Sequence, residues 1–218
     1  MPSSTQVHTI YKLANGQRVP SVTTYLAVLA KPALIQWAWE QGVAGLDYRK
    51  IRDQAGDTGT LVHYLIICQL QGIEPELSDY SPNEMAATYS PMSKFNQWVN
   101  DKVIEPILLE EPFVSEEFQF GGTPDFYGKV DDVLTLLDFK TSGGVYQENF
   151  CQLAAYKKLL EERGHQVDSA RIIRVGKSDN EGFEERAVGE LWRHWEIFLA
   201  CQKIYELQKA IRKTKEVG

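Results

Sequence analysis

The hydrophobic period of this chain changes near Pro112, and that change restricts the possible folds more than any other feature. Before it, apolar residues recur at helical spacing between glycine, proline and serine signals. After it, the segments FVSEEFQF, DFYGKV and VLTLLDFK alternate with a period of two and predict three consecutive strands of an antiparallel meander. SARIIRVGK and FEERAV predict a fourth and fifth strand. With helices before and after them, these patterns predict an α/β or α+β fold.

Local signals place several of the other elements. Asn15-Gly16 predicts the turn of a short N-terminal hairpin, and Pro32 predicts the start of a helix that ends near Gly42. The helix after the meander is expected to be capped by Asn149 and to stop at Gly164. The segment GELWRHWEIFLACQKIYELQKAIRK predicts a long C-terminal helix.

Two further helices are predicted between these elements. A buried helix is expected from a cap at Asp57 or Thr58 to a stop at Gly72. The segment Ser81–Glu84 has the pattern of a capping box with proline in the first helical position. From there we expect helix, with a break at a second Ser-Pro pair, to about Ile104.

Length and charge are those of an ordinary globular protein. The 218 residues are 43% hydrophobic with a net charge of −7, which disfavours a uniformly basic surface but allows a local basic groove. We expect one domain over residues 1–218, mainly helical in 1–110 and with the meander, helix, strand and C-terminal helix in 111–218.

The cysteines and the hydropathy indicate where such a chain works. No apolar run of membrane-spanning length occurs, and the N-terminus lacks a signal or transit pattern. Three scattered cysteines in apolar helical patterns are expected to be small buried hydrophobic residues, which favours a reducing, cytoplasmic setting. They are Cys68, Cys151 and Cys201.

Three charged residues stand on otherwise apolar strands. Asp138 and Lys140 are two apart, so they project from the same face of one strand. Asp125 lies at the preceding strand, and a turn at Asp131-Asp132 would let antiparallel pairing bring it beside Asp138. Two adjacent carboxylates repel unless a divalent cation takes ligands from both, and a nearby lysine can then act on an attacking water. The simpler alternative is a surface ion pair of Asp138 with Lys140 and a turn-capping Asp125.

Together with other motifs, these residues resemble the PD-(D/E)xK nuclease superfamily. GTPD and LDFKTS hold Asp125, Asp138 and Lys140 in its three core places. GTLVH, which ends at His63, and QLAAY, which begins at Gln152, resemble the RecB-like exonuclease branch. The opening VPSVTTYLAVLAKPALIQWAWEQG is similar to that of phage-type members and of the mitochondrial genome maintenance exonuclease. The resemblance implies a restriction-endonuclease-like core, with a central mixed sheet flanked by helices, and an N-terminal helical cap.

The resemblance also implies roles for individual residues. The implied metal ligands are His63, Asp125, Asp138 and the backbone carbonyl of Phe139, with Lys140 serving the nucleophilic water. Gln152 and Tyr156 would line the DNA path or steady the lysine. Each has an ordinary structural alternative: His63 as a hydrogen-bonded core histidine, Gln152 as the partner of Asn149 in a capping box, and Tyr156 as a core aromatic. Gly59, one turn before the histidine, would leave room for a close neighbour.

The sequence offers several candidates for an assisting glutamate and for the DNA contacts. The candidate acids are Glu105, Glu111, Glu116 and Glu117, and solvated surface is the alternative for each. Candidate phosphate contacts, against a solubilising surface, are Lys157, Lys158, Arg171, Arg174, Lys177, Lys209, Arg212, Lys213 and Lys215. The five tryptophans could stack on bases but are expected mostly in the core.

The resemblance implies an Mg²⁺- or Mn²⁺-dependent DNA exonuclease without an iron–sulfur cluster, since three scattered cysteines cannot hold one. Its partner would be DNA, single-stranded or with free ends, with a recombination or replication protein as a further possible partner and no membrane. A structure-specific or nicking endonuclease, or a catalytically silent DNA-binding accessory protein, are the alternatives. Polarity and oligomeric state are not determined by the sequence.

Overall fold

The computed structural model describes residues 9–215 and the side chains up to Thr214, and its elements follow the chain in this order. The first eight residues and the side chain of Lys215 lie outside the described part. The helices are α1 (Val22–Leu26), α2 (Pro32–Val43), α3 (Tyr48–Gln71), α4 (Pro82–Ala86), α5 (Tyr89–Val99), α6 (Gln147–Glu162) and α7 (Trp192–Lys215). The strands are β1 (Tyr11–Lys12), β2 (Arg18–Val19), β3 (Ile104–Leu109), β4 (Phe113–Ser115), β5 (Phe120–Gly122), β6 (Phe126–Val130), β7 (Val133–Lys140), β8 (Ser169–Val175) and β9 (Phe183–Val188). A short 3₁₀ helix spans Asp179–Glu181.

A five-stranded mixed sheet forms the centre of the fold, in the order β3-β6-β7-β8-β9. The pair β7 and β8 is parallel, and the other three pairs are antiparallel. Helix α6 connects the two parallel strands, as a crossover connection requires. The predicted fold class, a mixed α/β fold with a central sheet flanked by helices, is confirmed.

Helices cover both faces of this sheet because its central strands are apolar on both sides. On one face, Leu136 and Ile172 pack against α1, α6 and α7. On the other face, Leu137, Phe139 and Ile173 pack against α3 and α5. The sheet is therefore the middle of three layers, and polar side chains on β7 can reach solvent only at the strand ends.

The hairpin of β6 and β7 has the predicted acidic turn. Val130 pairs with Val133, so Asp131 and Asp132 form a two-residue loop, and both have positive φ, 52° and 66°. Aspartate tolerates this conformation better than most residues, and it matches the twist of the strands. Asp131 also accepts a hydrogen bond from the amide of Val103 at 2.9 Å, which gives the turn a structural role.

The prediction of helix to Ile104 is wrong. Helix α5 ends at Val99, and Ile104–Leu109 is the edge strand β3. Pro106 lies in this strand beside an irregularity in its register with β6. Proline is tolerated there because an edge strand leaves amide positions unpaired. The central sheet thus begins before residue 111.

The prediction of one strand over FVSEEFQF is also wrong. β4 and β5 form a separate two-stranded sheet, with Ser115 paired to Phe120. The Ser115 hydroxyl accepts a hydrogen bond from the amide of Phe118 at 2.9 Å, and Gln119 has a positive φ of 53°. This bond and the left-handed conformation of Gln119 close a tight turn inside a segment whose alternation predicts one continuous strand.

Two predicted helix caps are wrong as well. Asp47, not Asp57 or Thr58, caps α3 by accepting a hydrogen bond from the amide of Arg49 at 3.0 Å. The helix runs through both glycines of GDTG and stops, as predicted, at Gly72 with a positive φ of 68°. In α6, Asn149 is the third residue, and its side chain accepts a hydrogen bond from the amide of Tyr146 at 2.8 Å.

Most of the other local predictions are confirmed. The N-terminal hairpin, the capping box of Ser81 with Glu84, and strands β8 and β9 are confirmed. The three cysteines are free and buried, also as expected. The expectation of core tryptophans holds for Trp98 but is wrong for Trp39 and Trp192, which are 62% and 57% exposed. Within residues 9–215, no helix has the length and apolar character needed to span a membrane.

Candidate active site at the ends of strands β6 and β7

Asp138 is the most deeply buried charged residue of the predicted site. Its relative exposure is 0%, and neither carboxylate oxygen has a hydrogen-bond donor among the described residues. Its one described partner is Lys140, whose Nζ lies 2.6 Å from Asp138 Oδ2 and forms a close ion pair with it. Burial raises the pKa of Asp138 to about 6, opposed by the charge of Lys140 and assisted by that of Asp125.

Lys140 is held in its charged form by the two carboxylates. Burial alone would lower the pKa of Lys140, but the charges of Asp138 and Asp125 outweigh burial and raise it. An ammonium group is a hydrogen-bond donor with no acceptor capacity. In this arrangement Lys140 can therefore orient a water or a phosphate oxygen, but it is not a free base.

Asp125 lies beside β7, as the predicted pairing requires. Phe126 pairs with Leu137, so the register continues to place Asp125 opposite Asp138. Asp125 Oδ2 accepts a hydrogen bond from the backbone amide of Phe139 at 2.7 Å. The structure thus brings Asp125, Asp138 and Lys140 to one edge of the sheet, where β6 begins and β7 ends.

His63 reaches the same edge from helix α3. Its Nδ1 lies 3.9 Å from Asp125 Oδ2, and its ring meets the ring of Phe139 edge to face with centroids 6.3 Å apart. A side chain at Gly59 would come within 2.7 Å of Thr141 Oγ1, next to Lys140. The absence of a side chain at Gly59 therefore lets α3 approach the end of β7 closely enough to present His63.

Gln152 and Tyr156 form a hydrogen-bonded pair on helix α6. Gln152 Nε2 donates to the Tyr156 hydroxyl at 2.8 Å, so the capping-box alternative for Gln152 is wrong. Burial raises the pKa of Tyr156 well above its usual value, and the charges of Asp138 and Asp125 raise it further. The phenol therefore keeps its proton at neutral pH, and that proton remains available for donation.

The sequence did not single out Glu110, which joins this group of charges. Its amide donates a hydrogen bond to the carbonyl of Asp125 at 3.2 Å, directly after the pairing of Leu109 with Phe126. The residue as a whole is exposed, but loss of water around its carboxyl raises the pKa of Glu110. The charge of Asp125 raises this pKa further and that of His63 lowers it. A predicted strand at Ile104–Leu109 would have placed Glu110 opposite Asp125.

Two of the four glutamates considered from the sequence have partners elsewhere. Glu105 pairs with Lys129 at 3.5 Å, and Glu116 accepts a hydrogen bond from the amide of Ala14 at 2.7 Å. Glu111 and Glu117 are exposed. None of the four has a described contact with the charged residues of the candidate site.

Several of the proposed phosphate-binding cations are also paired with acids. Arg171 lies 2.9 Å from Glu185, Arg174 lies 3.2 Å from Glu184, and Lys157 forms an ion pair with Glu161. Paired cations contribute less positive potential than free ones. The expected basic path for DNA is therefore not apparent at these positions.

The donor set suits a divalent cation in its chemistry. Carboxylate and backbone oxygens are the ligands that Mg²⁺ and Mn²⁺ prefer, and the two oxygens of Asp138 have no hydrogen-bond donor. Among the described residues, however, no group of three or more His, Cys, Asp or Glu side chains is arranged closely enough to hold a metal ion. Lys140 instead lies against Asp138.

Comparisons with known proteins add little to this picture. No family model matches the chain, and the search of curated proteins gave no match. A crystal structure of an alkaline exonuclease (LHK-Exo) from Laribacter hongkongensis is 14% identical with a TM-score of 0.33, and covers 72% of this chain and 85% of that chain. The structure of LHK-Exo in complex with dAMP gives 15%, 0.34 and the same coverage. Similarities this low assign no function to this chain.

Proposed function

We propose that this chain is a divalent-metal-dependent deoxyribonuclease that hydrolyses phosphodiester bonds, with exonuclease action favoured. The observation that carries the proposal is the fully buried carboxylate of Asp138, which has the Lys140 ammonium as its one described partner and lies opposite a second carboxylate, Asp125. Burying such a group in a purely structural role is costly. Asp125 and Asp138 would hold a divalent cation, with His63 and the carbonyl of Phe139 as further ligands, and the positive charge of that cation would reduce this cost.

The side chains would divide the chemistry between them. When bound, Mg²⁺ or Mn²⁺ would supply a Lewis acid for the scissile phosphate and for the attacking water. Lys140 would hold its ammonium toward that water or a phosphate oxygen. Tyr156, kept protonated and fixed by Gln152, would donate a second hydrogen bond at the same edge of the sheet.

The preference for free ends rests on helices α2 and α3. Just before α2, Lys31 lies 3.5 Å from Glu148 of α6, and within α3, Gly59 lies against Thr141. The segment from Lys31 to Gly59 is therefore attached at two points. One end lies beside α6, and the other lies beside Thr141, which directly follows β7. No residue of α2 is buried, so this span lies on the outside of the protein. We propose that this span forms an arch over the site, because an arch would admit a single strand or a free end more easily than a closed circle.

The test uses end-labelled single- and double-stranded linear DNA and covalently closed circles, with Mg²⁺ or Mn²⁺. We expect linear DNA to be degraded from its ends, and we expect Lys140→Ala and Asp125→Ala to abolish this activity. Activity that survives both substitutions would reject the site. Equal rates on circles would favour a structure-specific or nicking endonuclease, and binding without cleavage would favour a silent accessory protein.

This activity would serve the replication, recombination or repair of phage or cellular DNA in the cytoplasm. We also propose a recombination or replication protein as a partner, because the activity would serve these processes. We further propose that residues 1–218 act as one nuclease domain of the RecB-like type.

A further inference from the structure

Two consecutive glycines precede the candidate site, and each lies against a tyrosine ring. A side chain at Gly121 would come within 2.1 Å of the ring of Tyr11, and one at Gly122 within 2.7 Å of the ring of Tyr156. Successive residues of a strand face opposite sides, so the two rings pack against the two faces of β5. Only glycine fits at either position.

The ring of Tyr11 comes from the N-terminal hairpin, far away in the sequence. The hairpin is attached to this region by further backbone bonds: the amide of Gly121 donates to the carbonyl of Pro20 at 3.0 Å, and Ser21 forms a parallel bridge with Gly121. The amide of Ala14 donates to Glu116 at 2.7 Å. Tyr11 is thus held at a fixed place beside β5.

The hydroxyl of Tyr11 contacts a residue close to the candidate site. It forms a 2.8 Å hydrogen bond with Thr123 Oγ1, two residues before Asp125. The residue between them, Pro124, is buried and has its φ fixed by its ring, so few backbone rotations separate Thr123 from Asp125. A displacement of Thr123 would therefore be passed on to the carboxylate of Asp125.

We propose that Tyr11 is a positioning residue, which acts through Thr123 to hold Asp125 against the amide of Phe139 in the orientation that the site needs. The N-terminal hairpin then helps to hold a residue of the candidate site in place. The effect on the structure stands by itself, whereas the effect on cleavage rests on the proposed nuclease function.

The structural effect is tested on the amide of Phe139, which donates to Asp125 Oδ2. In Tyr11→Phe the ring remains and only the hydroxyl is removed, so the fold is expected to persist. Loss of one hydrogen bond of typical strength should speed hydrogen exchange of the Phe139 amide about fivefold, measured by NMR. Thr123→Val should have the same effect. The double variant should exchange little faster than either single variant, because both substitutions remove the same hydrogen bond.

Tyr25→Phe is the matched control. Tyr25 is another tyrosine near the N-terminus; its ring is buried, whereas that of Tyr11 is half-buried, and its hydroxyl lies 3.3 Å from Glu206 on α7. It should leave exchange at Phe139 unchanged. Equal exchange at Phe139 in wild type and Tyr11→Phe would overturn the proposal, and so would full additivity of Tyr11→Phe with Thr123→Val.

The catalytic effect is measured on linear DNA with the same variants. Tyr11→Phe should lower kcat about tenfold with little change in KM, because a misplaced ligand affects the reaction more than substrate binding. A rise in KM alone would contradict a positioning role. If wild-type protein does not cleave DNA, the nuclease proposal fails, while exchange at Phe139 still decides whether Tyr11 positions Asp125.

Discussion

Asp125 accepts a 2.7 Å hydrogen bond from the backbone amide of Phe139, which lies between Asp138 and Lys140 on the neighbouring strand. This bond fixes one carboxylate oxygen of Asp125 and leaves the other without a described partner. Because one oxygen accepts this bond and the other does not, the hydrogen bond of Asp125 and its negative charge can be tested separately.

Asp125→Asn should retain the hydrogen bond to Phe139 while removing the charge. We expect cleavage of linear DNA to fall about 100-fold or more, since electrostatic groups of a reaction centre carry contributions of this size. The melting temperature should change little. Asp132→Asn is the matched control, because it makes the same chemical change in the turn, where asparagine also tolerates the positive φ of 66°. Equal losses in both variants would argue against a special role for Asp125.

Divalent metal should stabilise the protein through Asp138. Binding to the folded state alone raises the free energy of unfolding, by about 2.7 kcal/mol at a ligand concentration 100 times Kd. Thermal melts with and without Mn²⁺ should show an increase for wild type and none for Asp138→Asn. Ca²⁺, tested in parallel, separates metal binding from cleavage. Absence of any shift in wild type would count against a metal site.

Glu110→Gln should weaken Mn²⁺ binding without abolishing it. The negative charge of Glu110 adds to that of Asp125, and its removal should raise the Kd by about three- to tenfold, a typical size for coupling between nearby charges. The measurement is a calorimetric titration with Mn²⁺. Glu111→Gln, the same change on the adjacent exposed residue, should leave the Kd unaltered. A similar effect of both variants would mean that only the total charge matters.

Gly59→Ala and Gly56→Ala test the close approach of α3 to β7. Alanine favours helix over glycine by about 1 kcal/mol, so Gly56→Ala, with nothing within 4 Å of its new side chain, should stabilise the protein. At Gly59 the same methyl group meets Thr141 at 2.7 Å, so the gain should be smaller or lost.

Cleavage by Gly59→Ala should fall because Thr141 directly follows Lys140, and the rate should recover in Gly59→Ala/Thr141→Ala. Gly56→Ala should cleave at the wild-type rate. Chemical denaturation and initial cleavage rates provide the two measurements. Identical behaviour of the two glycine variants would show that the approach at Gly59 is unimportant.

Elements whose signals are local could be predicted from the order of the amino acids. The hairpin from Phe126 to Lys140 could be predicted because its alternation and its Asp131-Asp132 turn are contained in one short stretch. The turn, the spacing of Asp138 and Lys140, and the position of Asp125 follow from strand geometry alone. The capping box at Ser81–Glu84 was predictable for the same reason.

Features that depend on pairing between distant segments are visible only in the folded protein. Strand β3 contains Pro106 and becomes a strand by pairing with β6, so nothing in its own pattern marks it, and Glu110 was missed with it. The association of Tyr11 with Thr123 spans 112 positions, and no periodicity in the sequence encodes it. Such contacts form because the sheet and its helices must exclude water together, and this packing fixes which distant side chains meet.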